Sequence, residues 1–373
     1  MDVFEVADAL VTHAVKHYGE AIDLIGYYGS YAQGKATEYS DLDVFYTPAE
    51  GQNPPINRTF LLEGREFDFW AISWKQLEEF AMGSSRGWSV APALVYHTHL
   101  LYARSEEQVA RLTKIQQSIR DLQSPEARPQ MLKRALERYA FVWNDVGRVR
   151  LAVLSNDLAN VRHAAWSVVA SVCECLALIN QTFLNRGYSN LREEVAQFTL
   201  RPKEIEKRLE VIATSSDLET VANMAEQLAL ETRQILLHQQ KTLVSQEDAH
   251  TVFESVYPEL RGMLDKVRSA CKRNDPVGAS TAVWAIQTEI AQMLSSLQPG
   301  KGDATFHLYS EVSEYYRALN FPDVLSLDFG DLAEAAQGIE RLDSVLRAWL
   351  EEQAISLQEF SSLEALRLTL SAT

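Results

Sequence analysis

The run Ser40-Asp41-Leu42-Asp43-Val44-Phe45-Tyr46 restricts this chain more than any other stretch. Its apolar residues have strand character, and in a strand alternate side chains share a face. Asp41 and Asp43 are therefore expected on one side, with Leu42 and Val44 on the other. Two carboxylates at that spacing repel, so something positive is expected between them, and a divalent cation is the usual answer.

The surrounding pattern predicts a small sheet domain. Val3, Val6, Ala7, Leu10, Val11, Ala14 and Val15 recur at helical spacing through residues 2–18, and Gly19 offers a stop. Strand-type runs follow at Ile22 to Tyr28, Asp41 to Thr47, Arg58 to Leu62 and Glu66 to Ser73. The last two flank Glu63, Gly64 and Arg65, which read as a tight hairpin. Trp74 to Met82 reads as a helix and Leu94 to Tyr102 as a final strand. Beyond Pro129 apolar residues recur every three or four positions with few breakers, so the remainder is expected to be helical. The expected fold class is α+β: a small mixed-sheet domain over 1–125, a helical domain over 126–245 and a second helical module over 246–373.

That second module reads as a partial copy of the first. Laid over each other without a gap, Gly147 to Ile179 and Asp265 to Leu297 pair Val149 with Val267, Arg150 with Arg268 and Ala152 with Ala270. In the same register Asn156-Asp157 meets Asn274-Asp275, Trp166 meets Trp284 and Leu176 meets Leu294. Matching Asn-Asp turns and matching tryptophans argue for duplication over coincidence.

Composition narrows the partners. A net charge of −16 disfavours a duplex-binding surface, because nonspecific nucleic-acid affinity comes from phosphate neutralisation by Lys and Arg. A cationic acceptor suits it better. Three cysteines, Cys173, Cys175 and Cys271, have no framework spacing and suggest reduced thiols in a cytoplasmic protein. No signal peptide is evident at the N-terminus, and the apolar stretch around Cys173 carries Glu174, so it is expected to be a core helix and not a membrane span.

The chemistry converges on the first domain. Strand Ile22 to Tyr28 runs into Gly29-Ser30, where a small residue lets backbone approach an anion and a hydroxyl can hold phosphate oxygens. Ser40-Asp41-Leu42-Asp43 follows, and "REFDFWAIS" offers Asp68 as a third carboxylate. Three acids make a cage for a hard cation, and Mg²⁺ between carboxylates and nucleotide phosphates drives in-line phosphoryl displacement.

These residues resemble the nucleotidyltransferase superfamily that includes DNA polymerase β, whose signature is Gly-Ser, a spacer, Asp-x-Asp on a strand and a third acid on a neighbouring strand. Within it, "IGYYGSYAQGKATEYSDLDVF", "FDFWAIS", "HLLYARSEE" and "LERYAFVWNDVGRVR" are similar, in that order, to the kanamycin nucleotidyltransferase family over about the first 240 residues. The resemblance implies that Asp41, Asp43 and Asp68 hold Mg²⁺, with two ions possible, and that Gly29, Ser30 and Ser40 hold the nucleotide. It implies an adenylyltransferase-like enzyme that moves a nucleoside monophosphate from ATP, or another nucleoside triphosphate, to a hydroxyl of a small cationic acceptor such as an aminoglycoside, as in antibiotic resistance. Protein nucleotidylation of the antitoxin type, or a nucleotide-binding scaffold without catalysis, are the rival readings. Two departures stand out: Arg138 occupies the position of that family's carboxylate base, and Val142 that of its phosphate-binding Lys. Gln33 stands where many relatives have Arg. Glu137, Asp145 and Glu174 are the nearby acids that could replace the base.

The resemblance also implies an active cleft shared between two subunits, and the tethered second module is expected to take the partner's place in a monomer, without a homodimer. Weaker signals are the Arg233 and His238 pair, spaced like the catalytic pair of HEPN ribonucleases, and His97-x-His99, which could ligate a metal from one strand face. Lys133, Arg134 and Arg138 could reach a triphosphate, or form a solvated helix face. For all of these, packing roles are the simpler expectation.

Overall fold

A computed structural model describes residues 2–84, 87–243, 248–298 and 308–372. It divides into two compact units, Met1–Leu236 and Leu237–Thr373. The chain is α+β, with a five-stranded mixed sheet and its helices first and a largely helical region after it.

The opening helix, α1 (Val3–Tyr18), starts where the Asp2 side chain accepts a hydrogen bond from the Phe4 amide at 3.0 Å. Its buried Val3, Val6, Ala7 and Ala14 pack in one apolar cluster with the central strands. Strands β1 (Ile22–Tyr28) and β2 (Leu42–Pro48) flank the short helix α2 (Gly29–Ala32), and β3 (Arg58–Leu62) turns into β4 (Arg65–Ala71). At that turn Glu63 and Gly64 both take positive φ, 52° and 79°, which makes a two-residue hairpin and leaves Arg65 to open β4. Then come α3 (Trp74–Met82), α4 (Ala91–Tyr96), β5 (His99–Ala103) and α5 (Glu106–Leu122). The sheet order is β3-β4-β2-β1-β5. Only the β2–β4 pair among these neighbours is parallel, which sets Asp43 level with Asp68, while antiparallel pairing sets Tyr28 opposite Asp43 and Thr59 opposite Asp68.

One expected strand is corrected. Residues 94–102 do not run as a single strand: Ala91–Tyr96 is helical and the strand begins at His99. Pro92 suits the first turn of a helix, and Thr98 Oγ1 donates back to the Leu94 carbonyl at 2.7 Å to close it. His97 therefore ends a helix while His99 opens a strand, so they do not share a strand face. Their rings go to different partners, Asn185 Oδ1 at 2.7 Å for His97 and the Ala32 carbonyl at 3.0 Å for His99.

After α5 come α6 (Arg128–Tyr139), α7 (Val142–Leu154), α8 (Leu158–Ile179), α9 (Leu191–Val195), α10 (Ile205–Thr214) and α11 (Leu218–Leu243), the last of which runs past the boundary at Leu236. Of these, α8 is long and apolar enough to cross a membrane, but most of it is buried within the fold, against α6 and α7. Cys173 and Cys175 lie buried there as free thiols, and burial pushes the Cys173 thiol up to about 12.

The second unit holds α12 (Ala249–Phe253), α13 (Tyr257–Lys272), α14 (Pro276–Ser296), α15 (Tyr309–Ala318), α16 (Leu332–Glu352) and α17 (Leu363–Ala372). Its core gathers Phe253, Tyr257, Leu264, Ile286, Ile290 and Leu346 among others.

The two helical regions repeat the same local solutions in the register read from the sequence. Asn156 and Asn274 both take left-handed backbone, φ 50° and 55°, and Asp157 and Asp275 both cap the next helix, accepting at 2.9 Å from Ala159 and Gly278 amides. The correspondence extends to a latch outside the aligned stretch. Tyr139 and Tyr257 bury their rings and donate their hydroxyls to a later long helix, to the Ala229 carbonyl of α11 at 2.7 Å and to Asp343 of α16 at 2.8 Å. Arg150 pairs with Glu219 and Glu226 of α11, and Arg268 pairs with Glu340 and Asp343 of α16. The matched tryptophans stay partly on the surface, Trp166 at 38% and Trp284 at 60% exposure.

Candidate active site

Gly29 and Asp43 are closely juxtaposed in the sheet domain. Gly29 has φ +79°, and a β-carbon there would lie 2.7 Å from Asp43 Oδ2. Only glycine fits both the backbone and the space. The turn it opens is held by Arg65, whose guanidinium donates to the Tyr31 hydroxyl at 3.2 Å, and by His99 at Ala32. Ser40 closes the far end of the loop, its Oγ accepting from the Thr37 amide at 2.8 Å.

Asp43 is crowded by charge of its own sign. Burial first, then Asp41, Asp68 and Glu66, raise its pKa to about 7, against a smaller opposing effect from a hydrogen bond with Tyr28. Among the described residues no Lys or Arg pairs with Asp41, Asp43 or Asp68. The three acids differ in exposure and partners. Asp41 sits just before β2 and is exposed, Asp43 is half-buried, and Asp68 lies one strand over with its Oδ1 taken by Thr59 Oγ1 at 2.5 Å.

Gly29, Ser30, Ser40, Asp41 and Asp43 line one cleft of about 420 Å³, and Asp68 is not on its wall. Val90, Ala93 and Leu94, apolar residues from α4 and the position before it, also line it, as do Asn185, Arg186, Gly187 and Ser189 from the loop after α8. The sequence reading did not find that loop. It is joined to the sheet domain by Gln33, whose Nε2 donates to the Asn185 carbonyl at 2.7 Å, and by His97 at the Asn185 side chain. No local motif marks such a contact, because its partners lie far apart in sequence.

The candidate bases do not reach this cleft. Glu174 is buried on α8, where its carboxylate accepts from the Trp88 amide at 2.5 Å and the Ser89 amide at 2.7 Å. Asp145 accepts from Ser171 Oγ at 2.6 Å and lies 3.4 Å from Arg148, and Glu137 is exposed on α6. Glu174 therefore anchors the segment that carries Val90. Glu174→Gln should lower the thermal midpoint, because one of the two accepted bonds is lost in a buried place, at a cost of about 1–3 kcal/mol. Thermal melts at neutral pH check this; an unchanged midpoint would contradict the anchoring role.

The basic candidates are likewise engaged elsewhere. Arg134 donates to the Met82 carbonyl at 2.6 Å and lies over the Trp88 ring, Arg138 reaches Ser171 at 3.3 Å, and Lys133 is exposed. Arg233 is buried and His238 is exposed. Among the described residues, no three His, Cys, Asp or Glu side chains gather closely enough to hold a metal ion by themselves.

What remains is a pair of aspartates on the cleft without a Lys or Arg partner among the described residues, backed by a third acid on the adjacent strand. Magnesium is held in many sites by one or two carboxylates plus substrate phosphates. The residues present fit a cation that arrives with a phosphate chain, with Asp41 and Asp43 as its protein ligands. No family model matches the chain, and no curated protein matches it.

Proposed function

We propose that the chain is a nucleotidyltransferase that moves a nucleoside monophosphate from ATP, or another nucleoside triphosphate, to a hydroxyl of a small, cationic, aminoglycoside-like acceptor. The observation that carries this reading is the half-buried, like-charge-crowded Asp43 set against Gly29 on a cleft of nucleotide size. Magnesium, when bound, would neutralise charge on the phosphates and polarise the reacting phosphorus. Asp41 and Asp43 would hold it, and Asp68 would supply charge from the next strand. Gly29 lets the backbone approach the phosphates, Ser30 offers a hydroxyl to them, and Ser40 fixes the loop that presents Asp41. The apolar wall of Val90, Ala93 and Leu94 suits a base or sugar ring.

In the reaction the acceptor oxygen bonds to the α-phosphorus, the bond to the bridging oxygen breaks, and pyrophosphate leaves. Because Glu137, Asp145 and Glu174 are occupied or remote, acceptance of the hydroxyl proton falls in this reading to the cleft's own aspartates. The net charge of −16 adds long-range attraction for a cationic acceptor, so acceptor affinity should fall steeply with ionic strength.

Calorimetry with Mg·ATP and Mg·GTP, followed by a transfer screen over aminoglycosides and lincosamides, tests the proposal. Asp43→Ala is expected to lose metal-dependent nucleotide binding by roughly tenfold or more. Equal affinity in both proteins, with and without Mg²⁺, would sink the assignment. Nucleotide transfer onto a protein, with no small acceptor consumed, would replace the small-molecule acceptor by a protein.

A further inference from the structure

Asp41, Asp43 and Arg186 line one cleft, yet Arg186 forms no ion pair with those acids or with any other described carboxylate. Charges of both signs left unpaired on one cleft are complementary to a ligand that itself carries both signs. A phosphate chain carrying a divalent cation is that ligand. We propose that Arg186 receives the phosphate chain of the nucleotide, and that Glu194 is the residue that positions it. The inference rests on the nucleotidyltransferase reading above and deepens it by naming the counter-charge for the phosphates.

The loop is built to hold an arginine in place. One carboxylate, Glu194, accepts from two successive backbone amides, Asn185 at 2.5 Å and Arg186 at 2.9 Å, which fixes the backbone on the α9 side. Gln33 and His97 hold Asn185 on the other side, and the Leu184 amide donates to the Ser89 carbonyl at 2.7 Å. With its amide oxygen turned toward the guanidinium, Asn190 accepts from Arg186 Nη1 at 2.6 Å. That leaves the remaining donors of the planar fork for a ligand. A guanidinium whose backbone is tied down on three sides loses little entropy on binding, and its fork matches phosphate oxygens better than an ammonium does. Glu194 does not neutralise Arg186, because its oxygens are occupied by amides and it lies outside ion-pair range of the guanidinium.

The test measures binding of ATP, inorganic pyrophosphate and adenosine, with Mg²⁺ present, to the full chain and to Arg186→Gln, Arg186→Lys and Glu194→Gln. Thermal melts confirm that each variant folds. Arg186→Gln should weaken ATP and pyrophosphate by on the order of ten- to a hundredfold and leave adenosine unchanged. Arg186→Lys should fall between it and the wild type, because charge remains without the fork. Glu194→Gln should weaken ATP by a few-fold, again without affecting adenosine. A folded Arg186→Gln protein that binds ATP like the wild type overturns the role of Arg186 and leaves the nucleotidyltransferase reading standing. A loss of adenosine binding equal to that of ATP also overturns it, by placing Arg186 at the nucleoside. Wild-type protein that binds neither ATP nor pyrophosphate overturns both.

Discussion

Replacing Asp43 with asparagine will make the ligand-free protein more stable at pH 8 and remove its nucleotide transfer. The carboxyl has a pKa of about 7 in the fold against an ordinary 3.8. Below pH 4 the folded and unfolded chains both keep the proton. Between pH 4 and 7 the unfolded chain releases it while the fold retains it, so the folded state binds more protons and stability falls as pH rises. Above about pH 7 the full cost is present. A shift of this size corresponds to about 2–4 kcal/mol, or roughly 4–10 °C in thermal midpoint for a unit of this size. Asn keeps the shape and an acceptor for Tyr28 while removing the charge. Melting both proteins from pH 5 to pH 8.5 checks the argument: the gain should be small at pH 5 and grow toward pH 8. A difference independent of pH would show that Asp43 carries no such strain. Transfer activity should fall by on the order of a hundredfold or more, the scale of losing one preorganised charge contact in a reacting site.

Gly29→Ala is expected to damage both stability and activity. It forces a side chain into φ +79° and places the new carbon 2.7 Å from Asp43 Oδ2. The backbone term costs about 1–3 kcal/mol, and displacement of the carboxylate should lower kcat/KM beyond what the stability loss explains. The double variant with Asp43→Ala separates the two effects. Removing the carboxylate relieves the clash but not the backbone strain, so the two stability changes should fail to add. Strict additivity in chemical denaturation would mean that the contact carries no energy.

Local signals explain which parts of this fold were legible. Helix α1, strand β1, the β3–β4 hairpin and α3 follow from period, capping and turn residues, and so does the change from sheet to helix. The error at residues 94–102 has a local cause, since an apolar run reads alike as strand or helix and Pro92 lay outside the chosen run. The site was legible as far as its residues were adjacent: Gly29, Ser30, Ser40, Asp41 and Asp43 do meet on one cleft. Asp68 was expected as a third acid beside the pair, and parallel pairing sets it level with Asp43 on the neighbouring strand, where Thr59 takes one of its oxygens and it does not line the cleft. Glu174 looked like a candidate base because it is an acid in an apolar helix, and only the fold reveals the amides of Trp88 and Ser89 beside it. Arg186 gave no signal at all, because an Arg in a turn is ordinary and its meaning comes from Gln33 and His97, more than eighty residues away in sequence.

The twin latches, Tyr139 with Arg150 and Tyr257 with Arg268, make each helical bundle complete in its own polar fastenings. The residues of the cleft lie outside the duplicated hairpin: Asn185 and Arg186 follow it, and Gly29, Asp41 and Asp43 precede it. The second hairpin therefore shares the architecture of the first without any of the cleft's residues, and its Trp284 is left 60% exposed.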